Sequence, residues 1–233
     1  MNKITKFAFV LIAVTAGNCG RSAAEVAYEA HVGYASMYLW RGLDLGDDLV
    51  ETGLDVSGSW RGCDLNAGAW FGSFDNAPAG NDMELDLYGG ISRDFGPFTG
   101  SIGYIFYHFG NVSPTIDAQE VCFTASRDFG FLEASVNWYW DIETDNDGYS
   151  DLALSKGFEC SDSLTFHVES RYAWLVEQGI DAAWMSRASL DWEFCEKMVL
   201  SPFVTVSLAL SDDAGYTASG NEWVSGLLLS FGD

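Results

Sequence analysis

Met83-Glu84-Leu85-Asp86-Leu87-Tyr88-Gly89-Gly90-Ile91-Ser92-Arg93-Asp94-Phe95-Gly96 is the stretch from which the rest of the chain is read. Met83, Leu85, Leu87, Gly89 and Ile91 fall on one side of an extended backbone, and Glu84, Asp86, Tyr88, Gly90 and Ser92 on the other, the period of two that a strand requires. The run closes on Ser92-Arg93-Asp94-Phe95-Gly96, which returns as Ser126-Arg127-Asp128-Phe129-Gly130, 34 residues later. Such an interval holds two strands and two connections. Looser echoes at Trp60-Arg61-Gly62-Cys63, Lys156-Gly157-Phe158-Glu159-Cys160 and Trp192-Glu193-Phe194-Cys195-Glu196 keep a period of roughly 30 to 35 residues. These segments are expected to be the short turns at one rim of a closed β-barrel.

The alternation recurs along the chain. Leu132, Ala134, Val136, Trp138 and Trp140 oppose Glu133, Ser135, Asn137, Tyr139 and Asp141, and Leu164, Phe166, Val168, Ser170, Tyr172 and Trp174 oppose Thr165, His167, Glu169, Arg171 and Ala173. Strands are predicted near 27–41, 50–61, 64–74, 82–95, 98–109, 117–129, 131–142, 149–158, 163–174, 182–194, 198–210 and 221–231. Twelve is an even count, and each segment has the roughly 9 to 11 residues that a tilted strand needs to cross a membrane. The fold predicted is an all-β, antiparallel up-and-down transmembrane barrel.

The connections alternate in length. Asp44 to Leu49, Asn76 to Asn81, Asn111 to Ile116, Glu143 to Gly148, Leu175 to Asp181 and Ser211 to Gly220 are longer and mostly acidic or glycine-rich, the asymmetry of outer loops against periplasmic turns. A secreted β-sandwich alternates too, but packs its apolar face inward. Phe95, Phe98, Phe129, Phe131, Phe158, Trp192 and Phe194, gathered along one rim, resemble instead an aromatic girdle at a membrane interface.

Residues 1–24 read as an export signal: Lys3 and Lys6, then an apolar run from Phe7 to Ala16, then Ser22-Ala23-Ala24 at the cleavage positions. Residues 25–233 are then the barrel. Asn18 stands where a lipoprotein cysteine at Cys19 needs a small residue, which argues against lipidation. The chain carries a net charge of −23, which excludes nucleic acid as a natural partner, while 15% aromatics separate it from disordered acidic chains. Beyond the signal, Cys63, Cys122, Cys160 and Cys195 remain, an even set in an exported protein. A bridge between Cys160 and Cys195, placed on neighbouring turns of one rim, is the pairing to test.

With apolar faces toward lipid, the polar faces line a lumen. Candidate lumen and selectivity residues are Arg41, Asp55, Arg61, Glu84, Asp86, Glu120, Glu169, Arg171, Arg187 and Asp191, accompanied by Glu29, His31, Glu51, Asp64, Glu133, Asp151 and Glu193. Acid outnumbers base, so a water-filled lumen of this kind enriches cations and repels anions. Side chains fill barrels of about eight strands and leave a channel at about 16, so a twelve-stranded barrel is compatible with a plugged lumen or, as favoured here, a narrow solvated one.

A resemblance enters at the first strand. Ser36-Met37-Tyr38-Leu39-Trp40-Arg41-Gly42 has the form Ser-x-Tyr-x-x-Arg-Gly and resembles the opening of the TorF-type porin family, exported bacterial proteins otherwise of unknown function. The resemblance implies an outer-membrane barrel with a transport role, marks Arg41, and supplies no catalytic residue and no cargo. Phe231 is followed by Gly232 and Asp233, a departure from the terminal aromatic common in outer-membrane strands.

The function expected is therefore a porin of the bacterial outer membrane, in contact with lipid and lipopolysaccharide, passing small solutes with preference for cations. The alternatives are a non-conducting structural or surface-interaction barrel and a lipid or lipopolysaccharide hydrolase. The enzyme reading lacks a nucleophile: neither Gly-x-Ser-x-Gly nor His-Glu-x-x-His occurs near His31, His108 or His167. No cofactor motif is present in the sequence. Glu143, Asp145 and Asp147, followed by Gly148 and extended by Asp151, imitate a calcium loop, but Leu154 stands where a bidentate Glu is required, leaving weak divalent binding or a plain acidic hairpin.

Overall fold

The computed structural model describes residues 26–77, 80–110, 116–143, 146–212 and 220–232. Through them run β1 (Ala27–Trp40), β2 (Leu43–Trp60), β3 (Cys63–Asp75), β4 (Met83–Asp94), β5 (Thr99–Phe109), β6 (Ile116–Asp128), β7 (Glu133–Asp141), β8 (Asn146–Ser161), β9 (Leu164–Leu175), β10 (Ile180–Cys195), β11 (Met198–Ala209) and β12 (Glu222–Gly232). Each strand pairs antiparallel with its chain neighbours, and β1 closes on β12 through a register running from Glu29↔Gly232 to Ala35↔Gly226. Closure removes the edge that twelve amphipathic strands would otherwise expose to lipid. The predicted export signal lies outside the described residues.

The alternation resolves into two environments. Leu87, Ile91, Val136, Trp138, Leu152 and Leu154 are exposed on the outer wall, while Glu84, Asp86, Ser92, Asn137 and Asp151 are buried within. A soluble sandwich has the reverse arrangement. Phe95, Phe98, Phe129, Phe131, Phe158, Trp192 and Phe194 are all exposed, as a girdle requires.

All twelve predicted strands are present, and the differences lie at their ends. Residues 44–49, expected in a loop, belong to β2 because Arg41 (φ 51°) and Gly42 (φ 85°) form a two-residue turn with both φ positive, whose twist matches the flanking strands. Lys156 to Cys160 was expected as a turn but lies within β8, and the chain reverses at Asp162-Ser163; Trp192 to Cys195 similarly lies within β10. β8 begins at Asn146, so the expected loop 143–148 is shorter.

The repeated Ser-Arg-Asp-Phe-Gly does sit at the rim that carries both chain ends of the barrel. Asp94 Oδ1 accepts the Gly96 amide at 2.6 Å and Asp128 Oδ1 accepts the Gly130 amide at 2.6 Å, with the glycines at φ 87° and 83°. The Phe95 amide donates to the Phe98 carbonyl and the Phe129 amide to the Leu132 carbonyl, each at 2.9 Å. The aspartate of the repeat therefore shapes the turn. Arg127 stacks over Phe129, with Cζ 4.8 Å from the ring centroid.

Among the described residues the four cysteines are free thiols: Cys122 is buried, and Cys160 and Cys195 are exposed. The expected Cys160–Cys195 bridge is absent because β9 runs between β8 and β10, separating strands that sequence spacing alone makes neighbours.

Candidate functional site

The half of the lumen beneath the loop rim is built around the first hairpin. A register shift between Met37 and Leu39 breaks the alternation of β1, so Tyr38 and Leu39 are both buried. Tyr38 packs against Trp70 and Phe74, with centroids 5.5 and 5.0 Å apart. The turn then carries Arg41 over the bore. Its Nη1 and Nη2 donate to Glu120 Oε1 and Oε2, both at 2.7 Å. β3, β4 and β5 separate this hairpin from β6 along the wall, so the contact crosses the lumen.

The guanidinium is enclosed as well as paired. Its Cζ lies 4.3 Å from the ring centroids of Trp40 and Tyr139 and 4.6 Å from that of Tyr149. The Tyr107 hydroxyl donates to Glu120 Oε2 at 2.7 Å. A bidentate charge-assisted pair inside a ring of π-faces is the geometry by which a protein holds a planar cation away from bulk water. Ile105, Tyr107, Tyr139, Tyr149 and Met185 form an apolar cluster on one side, and Tyr38, Leu39, Leu49, Trp70 and Phe74 another, with Trp40 packed against both. Together these residues narrow the bore at that depth.

Glu84 and Asp86 also point inward in this half, each 2% exposed. The remaining charges form separate groups. Arg171 Nη1 donates to Asp151 Oδ2 at 2.8 Å and Nη2 to Glu169 Oε1 at 3.0 Å, while Asn137 Nδ2 donates to Asp151 Oδ1 at 2.7 Å. His167 Nε2 lies 3.2 Å from Asp191 Oδ2. Arg187 stacks over Phe203 at 3.7 Å and has Glu51, Glu169 and Asp191 as charged neighbours. The Tyr88 hydroxyl donates to Asp55 Oδ1 at 2.6 Å, and Trp70 Nε1 to Glu51 Oε2 at 2.8 Å.

Toward the terminal rim the wall is small. A side chain at Gly53 would collide with the ring of His31, one at Gly68 with Tyr88 and Asp55, and one at Gly157 with His167. These side chains lie flat over glycines, which keeps them against the wall.

Of the ten lumen candidates, Arg61 lies elsewhere: it occupies the β2–β3 turn at φ 53°, exposed, with Cζ 4.5 Å over Trp60. The companion Glu193 is exposed near the same rim, beside the register shift at the end of β10. Asp151 leaves the proposed calcium loop because alternation turns it into the lumen, 1% exposed and bonded to Arg171. Glu143 stays at the loop rim and accepts Gln119 Nε2 at 2.7 Å, Asp145 lies outside the described residues, and the side chain of Asp147 is not among those described. Among the described residues, no three His, Cys, Asp or Glu side chains converge as metal ligands. His108 pairs with Asp117 at 2.8 Å.

Tyr38, Tyr107, Asn137, Tyr139 and Tyr149 are the site residues that a search for charge overlooks. Asn137, Tyr139 and Tyr149 share their strands' polar parity with a carboxylate, which is the signal that finds them, whereas Tyr107 lies in a strand without any acid.

Residues 19–220 match the family model described as bacterial protein of unknown function, Gcw_chp. The chain belongs to the Gcw_chp family. The TorF-type likeness of its opening motif stands beside this as a resemblance. This Gcw_chp chain is similar in fold to an outer-membrane channel from Pseudomonas putida F1 (TM-score 0.56, 10% identity, 95% of this chain and 100% of that one). It is likewise similar to the NanC porin (0.55, 12%, 88% and 98%) and the KdgM porin (0.51, 8%, 88% and 98%). At these identities the likeness establishes the closed barrel of outer-membrane channels. No curated protein matches this Gcw_chp sequence.

Proposed function

We propose that this Gcw_chp protein is a porin of the bacterial outer membrane, set among lipid and lipopolysaccharide, that passes small solutes with preference for cations. The short-turn rim faces the periplasm, and the rim carrying Arg41 faces outward. The observation that carries the reading is the Arg41–Glu120 pair spanning a lumen whose other charged side chains are mostly carboxylates. Arg41 is matched by Glu120, and Glu84 and Asp86 point inward beside it, so acidic side chains outnumber the one guanidinium at the constriction, an arrangement that favours a cation there over an anion.

The fold likeness to porins and the small, glycine-lined wall toward the periplasm support conduction over a solid core. Planar bilayers with a potassium chloride gradient test it. A reversal potential of cationic sign is expected from wild-type protein; a correctly folded barrel that never conducts would favour the structural barrel instead, and an anionic sign would reject the selectivity.

A further inference from the structure

The loop-side lumen contains one guanidinium site that is filled and, beside it, a second acidic site with oxygens left over. In the filled site, Arg41 brings its own cation to Glu120 beneath Trp40, Tyr139 and Tyr149. In the second, Glu84 and Asp86 project from adjacent inward positions of β4. Glu84 has the Tyr38 hydroxyl and the Asp86 carboxyl as hydrogen-bonding neighbours, yet one oxygen of each acid, Glu84 Oε2 and Asp86 Oδ1, is buried with no partner, each residue being only 2% exposed. Arg41 reaches both electrostatically but spends its two parallel bonds on Glu120.

A carboxylate oxygen out of water with no donor is costly, on the order of a few kcal/mol. What this pair lacks is a donor that carries positive charge. The surrounding residues narrow its identity. Trp70 stands opposite Asp86 in the strand register, and the Tyr38 ring packs on Trp70 at 5.5 Å, so π-faces accompany the carboxylates as they do at Arg41. Two carboxylates with aromatic rings suit a planar or ammonium cation. A divalent metal needs more oxygen ligands, and no third acidic or imidazole ligand converges here among the described residues.

We infer that Glu84 and Asp86 form a binding site for a small organic cation, a guanidinium or primary ammonium group, lying beside the internal Arg41–Glu120 pair. This rests on the porin reading in making such a group part of the solute that enters the lumen. The site itself is an equilibrium property that does not require current.

The test uses methylguanidinium, with potassium as the competing metal cation, on the full barrel refolded in detergent. Calorimetric titration is expected to show saturable methylguanidinium binding, weakened roughly tenfold or more in Glu84→Gln/Asp86→Asn and less in Glu84→Gln alone, with folding of each variant checked by its heat-dependent gel migration. Equal binding by wild type and the folded double variant overturns the inference, as does potassium displacing the probe at equal concentration. In bilayers, methylguanidinium is expected to interrupt the potassium current of wild type and spare that of the double variant. Binding without any current rejects the porin reading and leaves the site standing. Current with no binding does the opposite.

Discussion

Arg41 and Glu120, 79 positions apart in sequence and on opposite walls of the barrel, are joined by two N–H···O bonds of 2.7 Å. The pair is mostly desolvated, with side chains 13% and 8% exposed. Removing one member strands the other. Arg41→Ala is expected to destabilise the barrel by about 3 to 5 kcal/mol, whereas Arg41→Met/Glu120→Leu costs far less. Urea unfolding in lipid vesicles of the two variants and wild type checks this. Equal losses would mean that the hairpin's packing matters and its charge does not.

The same pair sets the bore. Glu120→Gln keeps the shape but removes one lumen charge, so cation preference falls. Arg41→Ala opens the constriction, so unit conductance rises by a factor of about two to three, with Arg41→Lys between them because an ammonium cannot bridge both oxygens. Single-channel recordings decide. A conductance unchanged in Arg41→Ala places the narrowest point elsewhere.

Asp151 is the most enclosed acid of the lumen, held by Asn137 and Arg171. Asp151→Ala takes from the Arg171 guanidinium one of its carboxylate partners and is expected to cost about 3 kcal/mol or more in vesicle unfolding. Asp55→Ala, which releases only the Tyr88 hydroxyl from a less buried position, is expected to cost about 1 kcal/mol.

The rim glycines separate two kinds of constraint. At Gly96 and Gly130 a side chain would meet nothing within 4 Å, so alanine pays only for positive φ, about 1 kcal/mol. At Gly148, also at positive φ (79°), the side chain would run into the Tyr139 carbonyl, and Gly148→Ala is expected to lose several times as much or to fail to assemble. Refolding yields of the three variants, read by gel migration, rank them.

Thiol accessibility reports on both wall and connectivity. A maleimide is expected to label Cys160 and Cys195 in the native barrel and to leave Cys122 until unfolding. Failure of Cys160 and Cys195 to label in protein prepared without reductant would restore the bridge.

The strands and their inward faces are legible in the sequence because a wall one residue thick must alternate, and Met83 to Ser92 states that rule without interruption. Glu84, Asp86, Glu120, Glu169, Arg171, Arg187 and Asp191 are assigned to the inner face by parity alone, and their side chains are buried or half-buried. Parity fails at Tyr38, where the register shift after Met37 rotates the strand. It also fails at Arg61, which a turn lifts out of the wall. The partnership of Arg41 with Glu120 is set by the barrel's circumference and tilt, which no local pattern encodes. The roles of Asp94 and Asp128 are not legible for a different reason: a charge followed by Phe-Gly serves equally as a headgroup contact or as an acceptor for the glycine amide, and only the turn's backbone distinguishes them.

β1 takes part in two structures at once. It forms the seam with β12, and with β2 it carries the aromatic and arginine side chains that narrow the bore. The seam is therefore closed on the same hairpin that carries the constriction, so closure of the wall and width of the bore share one strand. A change made at the seam is thus felt at the narrowest part of the lumen, and mending one end of the chain to the other also sets the gauge of the pore.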